Sequence, residues 1–214
     1  MHVVVPNTAA ETHDDERLLR VLDGSVDVVR GLGVPFLMIG EIASSVYGRD
    51  RGTADIDLFV RPEHAPRILE ALGDQGFETT VEFEHWLYKA TLDEVDVDVI
   101  FRASRDILID DDMLARSRSM VFRGRELPMA PPEDMIVMKA VAAGEDTARY
   151  WYDALGILAR AELDWDYLLA RARQHGARRM LSLLLFGASL DLLVPDPAIG
   201  SLFASLNGAV PADA

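Results

Sequence analysis

Two pairs of aspartates carry the chemical signal of this sequence, and each pair is set two residues apart in an apolar run. Asp55 and Asp57 lie in "ADIDLFV", and Asp96 and Asp98 lie in "VDVDVIF". Side chains alternate between the two faces of a strand, so the members of each pair point the same way and repel each other. A divalent cation relieves that repulsion, and magnesium takes one or two carboxylates together with substrate phosphates.

We predict that Asp55, Asp57 and Asp98 are metal ligands and catalytic groups that share two magnesium ions. Asp98 is preferred over Asp96 because it lies deeper in its strand, whereas Asp96 follows a turn. In such a site one ion holds a nucleotide triphosphate, and the other lowers the pKa of an attacking hydroxyl. The alternative is that Asp55 and Asp57 lie on an exposed edge strand and only face solvent.

A glycine turn precedes the first pair of acids. Gly40 ends a predicted strand and is followed by the short helical segment "EIASSVYG". The start of that helix would direct backbone N–H groups and the positive end of its dipole toward an anion. Ser44 lies one turn further along and is a weaker phosphate donor. Arg51 could reach a phosphate and Thr53 could tie the loop to the next strand, although ordinary turn chemistry explains both.

The elements that must position these residues divide the chain into two parts. Before residue 130, strand and helix patterns mix; after it, the patterns are helical, which indicates an α/β (α+β) fold with a C-terminal helical bundle. The predicted domains are 1–130 and 131–214, with a loose arm at 1–13 and a frayed tail at 207–214. Predicted strands are 34–40, 54–60, 77–83, 85–91 and 95–101, with a short hairpin around Gly124. Predicted helices are 14–31, 41–48, 62–72, 105–116, 132–143, 146–160, 164–174 and 177–190.

Composition limits the classes of protein. The 214 residues are half apolar and carry a net charge of −15, which disfavours a general binder of nucleic acid, although several arginines cluster locally. There is no cysteine, so disulfides and thiolate metal sites are excluded. We find neither a membrane-spanning run nor a secretory signal pattern, and we expect a cytoplasmic protein.

The stretch "IGEIASSVYGRDRGTADIDLFV" resembles the signature of polymerase-beta-type nucleotidyltransferases. That signature combines a glycine turn, a helix of small residues, Arg-x-Thr and Asp-x-Asp, followed by a third acid on a later strand. The residues in register with it are Gly40, Ala43, Gly48, Arg51, Thr53, Asp55 and Asp57, with Asp98 as the third acid. The resemblance implies a mixed-sheet nucleotidyltransferase core, magnesium, and a nucleoside triphosphate as substrate.

The resemblance continues into the helical part. "APPEDMIVMKAVAAGEDTARYWYDALGIL" is similar to a segment of AbiEii/MenT-type nucleotidyltransferases, whose toxin members are paired with antitoxins. It implies that Lys139 contacts the triphosphate as a catalytic residue and that Asp153 positions the nucleotide. A Lys139–Asp153 salt bridge between two helices is the structural alternative, and both roles are compatible. Trp86 is predicted to be a core or packing residue. Tyr150 is predicted to pack, with the flanking of a nucleotide base as the alternative.

Two residues depart from the family pattern. Glu41 stands in the turn where the family has glycine or serine next to the phosphates, and Tyr150 follows Arg149 where an aspartate is usual. The first hypothesis is an enzyme that transfers a nucleoside monophosphate to a tRNA 3′ end, a protein or a small molecule such as an aminoglycoside. The resemblance to the toxin members also implies an antitoxin as partner. The second is a catalytically impaired nucleotide-binding module.

Overall fold

One mixed sheet forms the centre of the protein. The computed structural model describes residues 8–49 and 52–207, so the predicted tail after residue 207 lies outside the described residues. The strands are β1 (Phe36–Met38), β2 (Asp55–Val60), β3 (Glu78–Phe83), β4 (Leu87–Leu92), β5 (Val95–Ile100), β6 (Arg118–Phe122) and β7 (Arg125–Met129). Across these described residues the sheet order is β3-β4-β5-β2-β1-β7-β6.

The pairing of β2 decides the geometry of the acids. β2 runs antiparallel to β1 and parallel to β5, with Asp55 opposite Asp96 and Asp57 opposite Asp98. The outer pairs β3–β4, β4–β5 and β6–β7 are antiparallel hairpins, and β7 lies parallel to β1. The two aspartate pairs therefore lie side by side in the middle of the sheet, and the prediction of a mixed sheet is confirmed.

Helices cover the sheet and build the C-terminal part. They are α1 (Thr8–Leu32), α2 (Gly40–Tyr47), α3 (Ala65–Asp74), α4 (Asp111–Ala115), α5 (Pro132–Ala142), α6 (Arg149–Arg160), α7 (Trp165–His175), α8 (Ala177–Ser189) and α9 (Asp196–Asn207). None of the helices in the described part of the chain combines the length and apolar character needed to cross a bilayer.

Three predicted segments differ from the structure. Helix α1 begins at Thr8, inside the segment predicted as a loose arm, and α9 was not predicted at all. The predicted helix over 105–116 is wrong for its first half. Arg105 and Asp106 have positive φ, and the α-helix begins only after Asp110, whose side chain accepts a hydrogen bond from Met113 N. Such an acceptor stabilises a helix start by satisfying a free N–H group.

Helix α5 joins the two parts of the chain. All of its residues from Pro132 to Val141 are buried, and it packs against α2, α6, α7 and α8. Its three charged residues, Glu133, Asp134 and Lys139, are buried with polar partners, and its other side chains are mostly apolar, which suits a central position. The buried apolar cluster runs without a break from Leu18 in α1 to Leu202 in α9. The proposed boundary near residue 130 stays a prediction.

Helix α2 is held against α6 by a close contact between their backbones. A Cβ added at Gly48 would lie 2.6 Å from the carbonyl carbon and oxygen of Gly156 and from Ile157 N. Arg160 donates a hydrogen bond to the Gly48 carbonyl, with an Nη1–O distance of 2.7 Å. This contact sets the position of the helix that begins at Gly40.

We expect Gly48→Ala to lower the free energy of unfolding by about 1–3 kcal/mol, because a methyl group there meets backbone atoms that cannot rotate away. Urea denaturation measures this change. The control is Gly24→Ala in α1, where no atom lies within 4 Å of the added Cβ and where alanine is the better helix former. Equal midpoints for the two variants would contradict the close contact.

Candidate active site

The four aspartates of β2 and β5 lie on one face of the sheet. Ile56, Leu58, Val97 and Val99 occupy the other face and are fully buried in the core. The alternation predicted from the sequence is therefore confirmed, and the edge-strand alternative is wrong because β2 lies between β5 and β1. Asp55, Asp57 and Asp98 line one cavity of about 610 Å³, together with Gly40, Glu41 and Lys139.

Asp96 and Asp98 have different surroundings although they share a strand face. Asp96 does not line the cavity, and it accepts hydrogen bonds from Thr91 and Lys89 at 2.8 and 3.1 Å. Burial alone would raise the pKa of Asp96, but these hydrogen bonds outweigh it and lower that pKa. Burial raises the pKa of Asp98, whose Oδ1 lies 3.4 Å from Lys89 Nζ. The structure thus separates the two acids as the sequence suggested.

Asp57 is the most strongly perturbed of the cavity acids. Its pKa is raised to about 7, first by burial and then by the charges of Asp55 and Asp98. The charge of Lys139 lowers the pKa of Asp57, but by less than burial and the neighbouring carboxylates raise it. Crowded, buried carboxylates of this kind hold a proton or a cation at neutral pH.

Gly40 makes room for Asp57. Its φ is +62°, and a Cβ at this position would lie 1.7 Å from Asp57 Oδ2 and 2.5 Å from Asp57 Cγ. Only glycine satisfies both the backbone conformation and the close approach. The glycine of the predicted turn is therefore required by the Asp57 side chain as well as by the start of α2.

Lys139 connects the helical part to the turn. Its Nζ lies 3.2 Å from Glu41 Oε1 and 3.5 Å from Asp153 Oδ2, and it lies 4.4 Å from the centre of the Tyr150 ring. The predicted Lys139–Asp153 salt bridge is present, and Glu41 adds a second carboxylate that sequence reasoning did not pair with Lys139. Asp153 is fully buried and does not line the cavity, so its contact with a ligand would be through Lys139.

The remaining predicted site residues fall into three cases. Thr53 Oγ1 donates hydrogen bonds to the Asp55 carbonyl and to Asp55 Oδ1, so Thr53 ties the loop to β2. Ser44 is buried, donates to the Gly40 carbonyl at 2.6 Å and does not line the cavity. Its hydroxyl is therefore directed into the helix rather than toward a phosphate. Arg51 lies outside the described residues.

Several cavity residues were not predicted. Trp86 is 40% exposed and lines the cavity, so a core position for it is wrong, although its ring packs on Phe83. Tyr150 also lines the cavity. Glu84 and His85, the polar turn residues before Trp86, indicated an exposed position. The aromatic side chain of Trp86 favoured a buried one instead. Arg102, Arg105 and Arg149 contribute positive charge. Their place beside the acids depends on the fold of the loops that follow β5 and α5.

The acids are not yet arranged around an ion. Among residues 8–49 and 52–207, no three carboxylate, imidazole or thiol groups are gathered closely enough to hold a metal. Magnesium commonly uses one or two carboxylates and completes its shell with water and phosphate oxygens. The metal assignments of Asp55, Asp57 and Asp98 stay a prediction.

The fold and the acid cluster define the class of a nucleotidyltransferase. A family model described as "Uncharacterised nucleotidyltransferase" matches residues 44–192, and the chain belongs to that family. No curated protein matches the chain. The narrower AbiEii/MenT resemblance stays a prediction.

One solved structure supports the same fold, and two further solved structures are similar to this chain at lower TM-scores. The solution structure of the antibiotic-resistance factor ANT(2″)-Ia is 13% identical, with a TM-score of 0.52, and the match covers 91% of this chain and 97% of that chain. The crystal structure of ANT(2″)-Ia with adenylyl-2″-tobramycin is 15% identical, with a TM-score of 0.49 and coverage of 63% and 86%. A lincosamide antibiotic adenylyltransferase with lincomycin bound is also 15% identical, with a TM-score of 0.45 and coverage of 64% and 95%.

We expect Asp57→Asn to stabilise the metal-free protein in a pH-dependent way. An unfolded aspartate titrates near pH 4, whereas folded Asp57 titrates near pH 7. Between those values the folded state binds more protons, so the wild-type protein loses stability as pH rises. The stability of the variant relative to wild type should therefore rise from pH 4 to pH 7 and level off at ~4 kcal/mol.

Urea denaturation in EDTA at several pH values measures the effect. Asp96→Asn is the matched control, because the folded pKa of Asp96 is lowered and its contribution has the opposite sign. That variant should be destabilised at pH 7, with the deficit disappearing as pH falls below about 4. If both variants follow the same pH trend, the assignment of the buried charge to Asp57 is wrong.

Proposed function

We propose that this protein transfers a nucleoside monophosphate from a magnesium-bound nucleoside triphosphate to a hydroxyl group of a small-molecule acceptor. One observation carries the proposal: Asp55, Asp57 and Asp98 line the same cavity as Lys139 and Arg149. Carboxylates that hold cations and basic groups that hold phosphates are the two requirements for positioning a triphosphate. Neither set alone would distinguish this site from a surface cluster.

The carboxylates fit a divalent cation in two respects. The charges of Asp55 and Asp98, added to burial, raise the pKa of Asp57 to about 7, and a cation would offset that repulsion. Asp98 Oδ1 is buried and accepts no hydrogen bond from the described residues, although Lys89 lies nearby. Asp55, Asp57 and Asp98 would be the ligands. When bound, magnesium would offset phosphate charge and make the acceptor hydroxyl more acidic.

The chain's own residues account for the other parts of the reaction. Lys139 and Arg149 would hold the phosphates, and the missing Cβ of Gly40 leaves room for the Asp57 carboxylate beside the start of α2. The acceptor oxygen attacks the α-phosphorus while Asp98 accepts the hydroxyl proton. The bond from the α-phosphorus to the oxygen that bridges it to the β-phosphorus breaks, and pyrophosphate leaves with that oxygen.

The charge distribution favours a small acceptor over a polynucleotide. The net charge is −15, and five of the clustered arginines are engaged in ion pairs, whereas Arg173, Arg178 and Arg179 are exposed on α7 and α8. These pairs are Arg116–Asp164, Arg118–Glu133, Arg123–Asp15, Arg125–Asp23 and Arg171 with Asp110 and Asp134. Nucleic-acid binding depends on cations that are available to phosphates. The tRNA or protein acceptor and the antitoxin partner implied by resemblance stay predictions.

A labelled-transfer assay tests the function. The protein is incubated with each of the four NTPs, labelled on the α-phosphorus, with magnesium and with aminosugars, bulk tRNA or a protein extract. We expect label on a small acceptor, and we expect Asp98→Asn to reduce transfer by about 10²–10⁴-fold. Asp96→Asn is the matched control on the same strand face and should stay within a few-fold of wild type.

The outcomes separate the alternatives. Label on tRNA or on protein would support the acceptor implied by the AbiEii/MenT resemblance and overturn the small acceptor. Equal loss in the Asp96 and Asp98 variants would contradict the role of Asp98. Absence of both transfer and magnesium-dependent NTP binding would reject the proposed function.

The second candidate is a nucleotide-binding module with impaired catalysis. The observation that favours it is the contact of Glu41 with Lys139. Because Glu41 pairs with the Lys139 ammonium group, that positive charge is less available to a phosphate. A carboxylate at this position also repels the triphosphate directly. Both effects weaken NTP binding, unless Glu41 moves away when the nucleotide enters.

We expect Glu41→Gln to bind magnesium–ATP about tenfold more tightly than wild type, which corresponds to ~1.4 kcal/mol. Isothermal titration calorimetry measures the dissociation constant. Glu63→Gln is the control, because Glu63 is an exposed glutamate outside the cavity. If Glu41→Gln binds more weakly, Glu41 assists the site, for example as a further ligand of the cation, and does not oppose phosphate.

A further inference from the structure

A pair of stacked aromatic rings lies at the mouth of the cavity. The ring centres of Phe83 and Trp86 are 5.1 Å apart and their planes differ by 17°. The two residues are 47% and 40% exposed. Trp86 N donates to the Phe83 carbonyl, and Phe101 N donates to the Trp86 carbonyl, each at 3.1 Å. The turn that joins β3 to β4 therefore holds the pair in place beside the end of β5.

The surface around this pair is uncovered. All six residues of β3 are exposed, including Val81 at 49%, and β3 is an edge of the sheet in the described chain. Exposed aromatic clusters beside a cavity mark binding sites more often than scattered apolar residues do. Of the two rings, only Trp86 lines the cavity, so a ligand that contacts it can also reach the acids.

The sheet order places the pair at one end of the site. Trp86 precedes β4, and Asp98 lies on β5, Asp57 on β2, and Gly40 directly after β1. Neighbouring strands are about 4.8 Å apart, so these groups follow one another across the cavity. Lys139 contacts Glu41 and therefore lies at the Gly40 end. Asp98 is the catalytic acid nearest to Trp86, and it is also the group proposed to accept the acceptor's proton.

We propose that the Phe83–Trp86 pair, with Glu82 and Glu84, is the subsite for the acceptor, and that it takes a hydroxyl-bearing ring compound that carries amino groups. This inference rests on the proposed function. The C–H face of a saturated ring packs on an indole, and a neighbouring ammonium group is attracted to the ring face. The transferred hydroxyl would then lie over Asp98, opposite the phosphate end.

Charge around the pair favours an amine over a phosphate. Residues 77–88 contain Glu78, Glu82 and Glu84 but no lysine or arginine. Lys89 lies 3.9 Å from Glu82 and also contacts Asp96 and Asp98, so its charge is shared among three carboxylates. Arg102 and Arg105 also line the cavity from the loop after β5, together with Asp106, which pairs with Arg102 at 2.8 Å. A stacked nucleobase would bring a phosphate backbone toward these glutamates, which disfavours RNA.

Binding of defined probes to the full chain tests the subsite. Calorimetry and saturation-transfer NMR are performed in magnesium–ATP with tobramycin, streptomycin and glucosamine as amine-bearing rings. Trehalose is the uncharged ring, and an RNA oligonucleotide ending in CCA is the nucleic-acid probe. The variants are Trp86→Ala, Trp86→Phe, Phe83→Ala and Glu84→Gln. Phe203→Ala is the control, because Phe203 is an aromatic residue of α9 that is 57% exposed and does not line the cavity.

We expect at least one amine-bearing probe to bind wild type more tightly than trehalose or the RNA. Trp86→Ala should lower the affinity for that probe at least tenfold, and Trp86→Phe and Glu84→Gln should each lower it a few-fold. The affinity for magnesium–ATP should stay within twofold in every variant.

Two groups of results would overturn the subsite. The first is that wild type and Trp86→Ala bind the probe equally well. The second is that a protein that binds magnesium–ATP binds none of the three amine-bearing probes, or binds the RNA more tightly than any of them. Failure of wild type to bind magnesium–ATP would instead reject the proposed function, which keeps the two failures distinguishable.

Discussion

The crowding of carboxylates on one face of two parallel strands is the constraint on which the site depends. Ile56 and Val97 fill the core on the opposite face, so a shift of register by one residue would bury charge and expose the core. The parallel pairing then sets Asp57 directly beside Asp98. The missing Cβ of Gly40 allows Asp57 to approach the start of α2. A cation bound between them, as proposed, would offset the resulting repulsion.

The positive side of the site comes from the helical part of the chain. Lys139 is carried by α5, a helix buried along almost its whole length, and is held between Glu41 of the turn and the fully buried Asp153 of α6. The Gly48–Gly156 contact fixes the spacing between α2 and α6. The sheet and the helices are thus joined where the carboxylates of the sheet lie near Lys139, and neither part of the chain contains all the residues of the site.

The charge of the remaining surface is consistent with this division. In a chain with a net charge of −15, five of the clustered arginines pair with individual acids, for example Arg171 with the buried Asp134, whereas Arg173, Arg178 and Arg179 are exposed. Such pairs connect distant segments, but they remove the free cations that a polyanionic partner needs. The uncovered Phe83–Trp86 pair and its glutamates give the cavity mouth a different character, apolar and acidic.

The sequence by itself determined the strands that carry the acids, their shared face and the preference for Asp98 over Asp96, because alternation along a strand is a local property of the chain. It also indicated Gly40 and the Lys139–Asp153 pair, through a motif whose spacing is local. Only the tertiary structure decided that Glu41 contacts Lys139, that Ser44 turns into its own helix and that Trp86 opens onto the cavity. These outcomes depend on contacts between segments far apart in sequence, such as the 98 positions that separate Glu41 from Lys139. Local periodicity holds no information about such contacts.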